Sequence, residues 1–203
     1  MLEKRLEVKA DGKKVYDIII RDTFEGLAKE LAPFGTEERK LCIVTERNVS
    51  SYYLNEVQEI LEKVSARVDI FIFQEGEASK NLDTVSQLYR YLIQHEYDRK
   101  DMLVALGGGV VGDLTGFAAA TYLRGIDFVQ VPTSLLSQVD SSIGGKTGVD
   151  FQCYKNMVGA FYMPKLVYIN INTLKTLSER EFHSGLGEVI KHGLIRDKEY
   201  YNW

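Results

Sequence analysis

The residues best suited to binding a ligand form a glycine turn between two apolar segments. The apolar run 103–106 ends in Gly107, Gly108 and Gly109, and Asp113 follows within the next apolar segment. Glycines carry no Cβ, so backbone N–H groups can approach an anion closely, and a helix that begins there directs its positive end at the same anion. The pattern predicts a strand, a turn suited to a pyrophosphate and a helix. A turn whose glycines serve only strand-to-helix packing is the alternative.

A second polar stretch follows another predicted strand. Residues 74–81 contain Glu77 and Lys80 and come directly after the apolar run 68–73. In open α/β sheets, ligands bind at the carboxyl ends of the strands. Glu77 could therefore hydrogen-bond ribose hydroxyls, and Lys80 could bind an adjacent polar group. A solvated ion pair at a helix start is the alternative interpretation of these two residues.

Three cations follow in segments between the predicted elements. The formal net charge of −4 gives no general attraction to nucleic acid or to anionic membranes, so an anionic ligand requires a local cluster of cations. Lys146 lies in the stretch 133–150, which is rich in hydroxyls and glycines and has no dominant period, and Lys155 precedes Asn156. We expect these lysines and Arg124 at one side of the sheet, where they would meet a carboxylate or a phosphate. For Lys146, an ordinary surface lysine is the alternative.

A candidate metal-binding face occurs on the predicted helix 178–195. Glu188, Lys191 and His192 have i, i+3, i+4 spacing and therefore share one face. A Glu-x-x-x-His pair can present two metal ligands, so Glu188 and His192 are one possible half-site. A solvated helix face is the competing interpretation. The chain has three histidines, and their spacing forms no complete zinc motif.

The composition places these residues in a globular chain. The 203 residues are 45% hydrophobic and 27% charged, enough for one large or two small domains. Cys42 and Cys153 form no ligand-spaced pair, which suits free thiols in a reducing compartment. No apolar run reaches the length of a membrane span, and the first residues lack the apolar segment of a signal peptide, so a cytoplasmic location is expected. The last residues resemble the start or middle of a helix, and we expect the chain to be a fragment.

Strands alternate with helices along most of the chain, which predicts an α/β protein with a doubly wound parallel sheet. Segments 5–9 and 15–20 alternate around an Asp-Gly turn and predict a β-hairpin. Continuous apolar runs predict buried parallel strands, here at residues 41–45, 68–73, 102–106, 128–131 and 166–170. Helical spacing predicts helices at 23–31, 54–64, 82–92, 112–123 and 178–195.

Taken together, the motifs closely resemble those of a known family, the 3-dehydroquinate synthases, which are sugar-phosphate cyclases. Four stretches carry the resemblance in the family's order and spacing: Glu75–Lys80, Gly107–Phe117, Pro132–Asp150 and Gly185–Lys191. With Lys155-Asn156 and the turn 173–176, they cover most of residues 75 to 193. The first seventy residues match the family only in pattern.

The resemblance implies a fold, a cofactor and a reaction. Residues 1–172 would form a Rossmann-like, mostly parallel sheet with flanking helices, and residues 173–203 would begin a truncated α-helical domain. The implied enzyme is an NAD-dependent lyase that converts 3-deoxy-D-arabino-heptulosonate 7-phosphate to 3-dehydroquinate and phosphate, a step of the shikimate pathway, and returns NAD unchanged. We expect the fragment to be inactive and the full-length protein to be a homodimer. The alternatives are another sugar-phosphate cyclase, a polyol or iron-type alcohol dehydrogenase, and a non-catalytic nucleotide-binding module.

The resemblance also assigns roles to individual residues. The implied NAD-binding set is Glu75, Gly76, Glu77, Lys80, Gly108, Gly109, Val110, Gly112, Asp113, Thr133, Ser134, Lys146, Lys155, Thr173, Leu174, Lys175 and Thr176. The implied catalytic set is Arg124, Asp140, Lys146, Lys155, Asn156 and Lys191. Glu188 would bind a divalent metal, zinc or cobalt, whose two remaining ligands are histidines of a C-terminal domain outside this chain, so His192 becomes a neighbour. The family's aspartate near the adenosine ribose is replaced here by Glu46.

Overall fold

The site residues are positioned by a mostly parallel seven-stranded sheet, seen in a computed structural model that describes residues 2–202. The strands are β1 (Glu3–Ala10), β2 (Lys13–Arg21), β3 (Lys40–Glu46), β4 (Arg67–Phe73), β5 (Met102–Gly107), β6 (Asp127–Pro132) and β9 (Leu166–Asn170), in the order β1-β2-β9-β6-β5-β3-β4. β1 and β2 pair antiparallel as the predicted hairpin, and the other neighbours are parallel. The predicted Rossmann-like α/β fold is therefore confirmed.

Four helices cover the two faces of this sheet: α1 (Leu27–Leu31), α2 (Arg47–Glu62), α3 (Leu82–Gln94) and α4 (Gly109–Thr121). Two more, α5 (Glu179–Arg196) and α6 (Lys198–Asn202), follow β9. All six residues of β5 are buried, and successive side chains point to opposite faces. Leu103 and Ala105 consequently pack in one core with α3 and α4, whereas Met102 and Val104 pack in the other with α1 and α2.

Side chains near the carboxyl edge of the sheet fix where the helices begin. Glu46 caps α2, and its two carboxylate oxygens accept the N–H groups of Asn48 and Val49, each at 2.9 Å. Asn81 caps α3 through the N–H of Thr84. Ser178 forms a capping box at the start of α5. Each cap satisfies backbone donors that have no partner inside the helix.

The stretch 133–150, expected to be a loop, contains a strand. Lys146–Phe151 is β7, which pairs antiparallel with β8 (Tyr154–Phe161) as a separate two-stranded sheet packed on α4. Gly148 pairs with Gly159, and a Cβ on either would lie within 2.7 Å of backbone atoms of the opposite strand. These glycines permit close pairing of β7 and β8. They also occupy positions where a strand ordinarily has alternating apolar residues, so no strand was predicted here.

The C-terminal segment and the cysteines complete the description. Residues Ile171–Thr176 form a 3₁₀ segment before α5, and the domain division after residue 172 stays a prediction. Cys42 is buried, Cys153 is exposed, and both are free thiols. Among residues 2–202, no helix combines the length and the apolar character needed to cross a membrane.

Candidate functional site

The glycine turn joins β5 to α4, and close packing requires glycine at position 107 but not at position 108. A Cβ at Gly107 would lie 2.4 Å from a methyl group of Val111, so packing alone requires glycine at that position. A Cβ at Gly108 would lie no closer than 3.4 Å to its nearest neighbour, the hydroxyl of Ser134. Gly108 also has a backbone conformation open to any residue, with φ −74°. The packing interpretation therefore explains Gly107 but not Gly108.

A cleft of about 380 Å³ opens at this turn. Seven predicted NAD-binding residues line it, namely Glu75, Gly76, Gly108, Gly109, Val110, Thr133 and Ser134. Glu75 Oε2 is buried there and has no hydrogen-bond partner in the described part of the chain, so it remains an open acceptor. Exposed backbone N–H groups at the start of α4, with the positive end of the helix, suit a diphosphate.

Other cleft residues were missed from sequence. They include Asn48, Val49, Leu136, Leu177, Glu181 and Ser184. Glu46 also lines the cleft, but its carboxylate is engaged in capping α2. Asn48 and Val49 follow the carboxyl end of β3, which is the signal that would have found them. Glu181 and Ser184 lie on α5, and the sequence alone does not show how that helix packs against the cleft.

Ten of the 17 predicted cofactor residues do not line the cleft, and five of these ten are Gly112 and the segment 173–176. Gly112 does not line the cleft, and a Cβ there would lie 2.7 Å from the side-chain oxygen of Gln130, so this glycine permits close packing of α4 on β6. Thr173, Leu174, Lys175 and Thr176 also fail to line the cleft. The hydroxyl of Thr173 accepts a hydrogen bond from Gln138 and donates to the carbonyl of Asn170, and Thr176 bonds to Tyr53. The four residues of this segment stabilise the chain before α5.

A second cavity, of about 480 Å³, lies next to the cleft at the first turns of α4. It brings together Asp113, Asp140, Lys146 and Asn156, along with Ser141 and Thr147. Asp113 projects from α4, Asp140 and Ser141 from a short turn of π-helix at 137–141, and Lys146, Thr147 and Asn156 from the β7–β8 hairpin. This combination of carboxylates, a cation and an amide is suited to a polyhydroxylated, acidic ligand.

Lys80 links the two predicted halves of the site. Its side chain is almost fully buried, its Nζ lies 2.5 Å from Asp113 Oδ2, and it donates to Asn156 Oδ1 at 2.6 Å. Burial raises the pKa of Asp113, and the Lys80 ammonium opposes that rise only in part. The interpretation of Glu77 and Lys80 as one solvated pair was wrong. Glu77 instead pairs with Lys155 at 3.1 Å, and this hydrogen bond raises the pKa of Lys155.

A possible metal-binding set borders the second cavity. Asp140, Glu188 and His192 each offer a ligand atom, and these atoms all lie within 4.8 Å of one another. Carboxylate oxygens and an imidazole nitrogen suit zinc or another divalent metal, so the residues present fit such an ion. Lys191 contacts the carboxylate of Glu188, and this hydrogen bond raises the pKa of Lys191. The structure thus brings His192 into the set that its spacing suggested.

Arg124 does not join the other cations. It follows the C-terminal end of α4, whereas Gly108 precedes the N-terminal end. The intervening helix has 13 residues and is therefore about 20 Å long. Arg124 is exposed and lines neither cavity. The expectation that its segment ends beside Lys146 and Lys155 was wrong because a helix returns the chain to the opposite edge of the sheet.

Comparison with known proteins agrees with this geometry. The family model for the 3-dehydroquinate synthase N-terminal region matches residues 70–184. The 3-dehydroquinate synthase of Ruminiclostridium cellulolyticum is 49% identical over 191 residues, which are 94% of this chain and 53% of that protein. The chain thus spans about half the length of the curated relatives it matches.

Two solved cyclase structures share the fold. A 2-deoxy-scyllo-inosose synthase, in complex with carbaglucose-6-phosphate, NAD⁺ and Co²⁺, superposes with a TM-score of 0.86 at 28% identity, over 96% of this chain and 52% of that one. The 2-epi-5-epi-valiolone synthase of Streptomyces hygroscopicus, with NAD⁺ and Zn²⁺ bound, gives a TM-score of 0.82 at 29% identity, over 96% and 53% of the two chains. With the family match extending over more than half of its residues, the chain belongs to the 3-dehydroquinate synthase N-terminal family.

Proposed function

We propose that this chain is the nucleotide-binding half of a 3-dehydroquinate synthase. The full-length protein would convert 3-deoxy-D-arabino-heptulosonate 7-phosphate to 3-dehydroquinate and phosphate, in the cytoplasm and as a homodimer. One observation carries the proposal: a cleft suited to a diphosphate and a cavity suited to an acidic sugar adjoin at the first turns of α4. The family match and the relatives' names support the choice of reaction.

The cleft residues would hold NAD. The N–H groups at Gly108 and Gly109 would bind the diphosphate, and the open acceptor at Glu75 would take a hydroxyl of the dinucleotide. Glu77 follows Gly76, which lines the cleft, and Lys155 precedes Asn156, which lines the second cavity, and the two side chains pair with each other. Contacts with the cofactor would replace this exposed pair, which costs little because exposed ion pairs are weak.

The cavity residues would bind and orient the sugar phosphate. Lys146 and Lys191 would face its carboxylate and phosphate, and Asn156 would hydrogen-bond its oxygen atoms. Asp140 and Glu188, with His192 beside them, would hold the divalent metal, whose histidine ligands in the family come from the other half. When bound, NAD supplies a hydride acceptor and the metal polarises substrate hydroxyls. The lysines would stabilise the negative charge that develops on the substrate when a proton is removed before phosphate leaves, and the charge of the departing phosphate.

The decisive experiment is phosphate release from the heptulosonate phosphate by the full-length protein, with and without NAD and zinc. We expect release that requires both, without net NADH. Accumulation of NADH with a polyol would indicate a dehydrogenase, and NAD binding without turnover of any substrate would indicate a binding module. Turnover of a hexose phosphate in place of the heptulosonate phosphate would indicate another cyclase. The 203-residue chain alone should show negligible turnover.

A further inference from the structure

Asn156, in the second cavity, is held in an unusual backbone conformation. Its φ is +56°, in the left-handed region that residues other than glycine and asparagine rarely adopt. The N–H of Asn156 donates to Asp150 Oδ1 at 2.7 Å. A conformation of this kind persists only where the surroundings hold it. The Asp150 carboxylate provides that support directly.

The backbone of Asp150 is itself bonded to the segment that carries Lys80 and Asn81. It lies at an irregularity in the β7–β8 pairing, between Val149 and Phe151, where a bulge redirects side chains. Its N–H donates to the carbonyl of Lys80 at 2.8 Å, and it forms a β-bridge with Asn81. Asp150 therefore connects the hairpin to the segment that carries Lys80.

The position of Lys80 fixes which way the Asn156 amide faces. An ammonium group only donates hydrogen bonds, so the atom of Asn156 that it meets at 2.6 Å must be the oxygen. The amide nitrogen is then directed away from Lys80 and donates to no group within residues 2–202. Because Asn156 is exposed and lines the cavity, this free N–H₂ group can donate to a ligand oxygen, such as that of a phosphate, a carboxylate or a hydroxyl.

We propose that Asp150 is a positioning residue for the sugar phosphate: its carboxylate holds Asn156 so that the amide N–H₂ meets a substrate oxygen. The inference rests on the proposed function of the cavity. It adds a residue that contacts no ligand itself and acts only through Asn156. A purely structural role in the hairpin is the competing explanation, and the two differ in what substitutions do to substrate affinity.

The test compares Asp150→Ala with Asp150→Asn in the full-length protein, by phosphate release. The asparagine side chain still offers an oxygen to the N–H of Asn156, whereas alanine offers none. We expect Asp150→Ala to lose roughly 10- to 100-fold in kcat/KM, since a hydrogen bond to a charged group is lost, chiefly through KM for the sugar phosphate. Asp150→Asn should stay within about threefold of the parent, and NAD affinity should be unchanged in both.

The control is Asp83→Ala, which removes an exposed carboxylate in the first turn of α3 and should leave kinetics unchanged. A parent protein without activity would refute the proposed function, not the role of Asp150. With an active parent, the role of Asp150 is refuted if Asp150→Ala keeps its KM, or if both variants lose activity only in proportion to lost folded protein. Should Asp150→Ala fail to fold, a tenfold loss in Asp150→Asn would refute it equally.

Discussion

The Nζ of Lys80 lies 2.5 Å from Asp113 Oδ2, with the lysine side chain almost fully buried and the aspartate four-fifths buried. The pair joins the segment after β4 to the second turn of α4, beside the second cavity, which Asp113 lines. Removing one partner of a buried ion pair leaves an uncompensated charge, whereas removing both does not.

Lys80→Met should therefore destabilise the chain by about 3 kcal/mol, as measured by urea unfolding at pH 7. The double variant Lys80→Met/Asp113→Leu should recover most of that loss, because no charge is then left buried. A loss below about 1 kcal/mol for the single variant, the size expected of an exposed pair, would show that the pair is solvated and would contradict the assignment.

Gly108→Ala separates ligand binding from packing. The new Cβ meets only the Ser134 hydroxyl at 3.4 Å, an ordinary contact, so the folded chain should keep its stability within about 1 kcal/mol. NAD affinity measured by calorimetry should fall at least roughly tenfold, because a methyl group would stand where the diphosphate approaches the backbone. Gly187→Ala is the control, since no atom lies within 4 Å of its added Cβ. Equal NAD affinity in Gly108→Ala and the parent would contradict the diphosphate assignment.

Lys191 should compete with a divalent metal for Glu188. The two side chains are in contact, and a unit positive charge near the ligand set repels an incoming divalent ion by about 2 kcal/mol in water at 4 Å. Lys191→Met should therefore bind Co²⁺ roughly 30-fold more tightly, as followed by the cobalt absorption spectrum. Glu188→Gln should lose binding. Lys63→Met, which removes an exposed charge at the end of α2, serves as the control. Unchanged Co²⁺ affinity in Glu188→Gln would exclude that residue as a ligand.

The Asp17 carboxylate should account for part of the loss of folding stability in acid. Burial favours the neutral carboxyl, but hydrogen bonds from Lys14 and Arg5 outweigh burial and lower the pKa of Asp17 below 3.8 in the folded chain. Because the pKa of Asp17 is lower in the folded chain than in the unfolded chain, its carboxylate stabilises the fold at pH values above the unfolded pKa. That stabilisation is lost as the pH falls through the folded pKa.

Asp17→Asn should cost about 1–2 kcal/mol at pH 7, with the cost limited because Lys14 and Arg5 are half exposed. The difference from the parent should shrink as the pH falls below about 4, measured by urea unfolding at pH 7 and in acid. The same change at the exposed Asp83 should alter neither value. A difference that grows in acid would reverse the predicted sign.

The sequence was sufficient where each element carries its own signal. The buried strands β3, β5 and β9 are continuous apolar runs, and α3 and α5 have a cap followed by helical spacing. The glycine turn could be placed at the edge of the sheet for the same reason, since a strand precedes it and a helix follows it.

The remaining features depend on contacts between distant residues. The partner of Lys80 is Asp113, 33 positions away, and the sequence offered the nearer Glu77 instead. The β7–β8 hairpin was missed because glycines and hydroxyls occupy positions that apolar residues fill in an ordinary strand. Arg124 was misplaced because the direction in which α4 carries the chain was not considered.

The cleft and the second cavity adjoin at the first turns of α4, where Gly108 and Val110 line the cleft and Asp113 lines the cavity. A molecule that reaches from one into the other would draw affinity from both while losing its translational freedom only once. A diphosphate mimic tethered to a polyhydroxylated acid is thus a rational starting point for an inhibitor of this protein. Tether length, rather than the strength of either end group, would be the variable to optimise first.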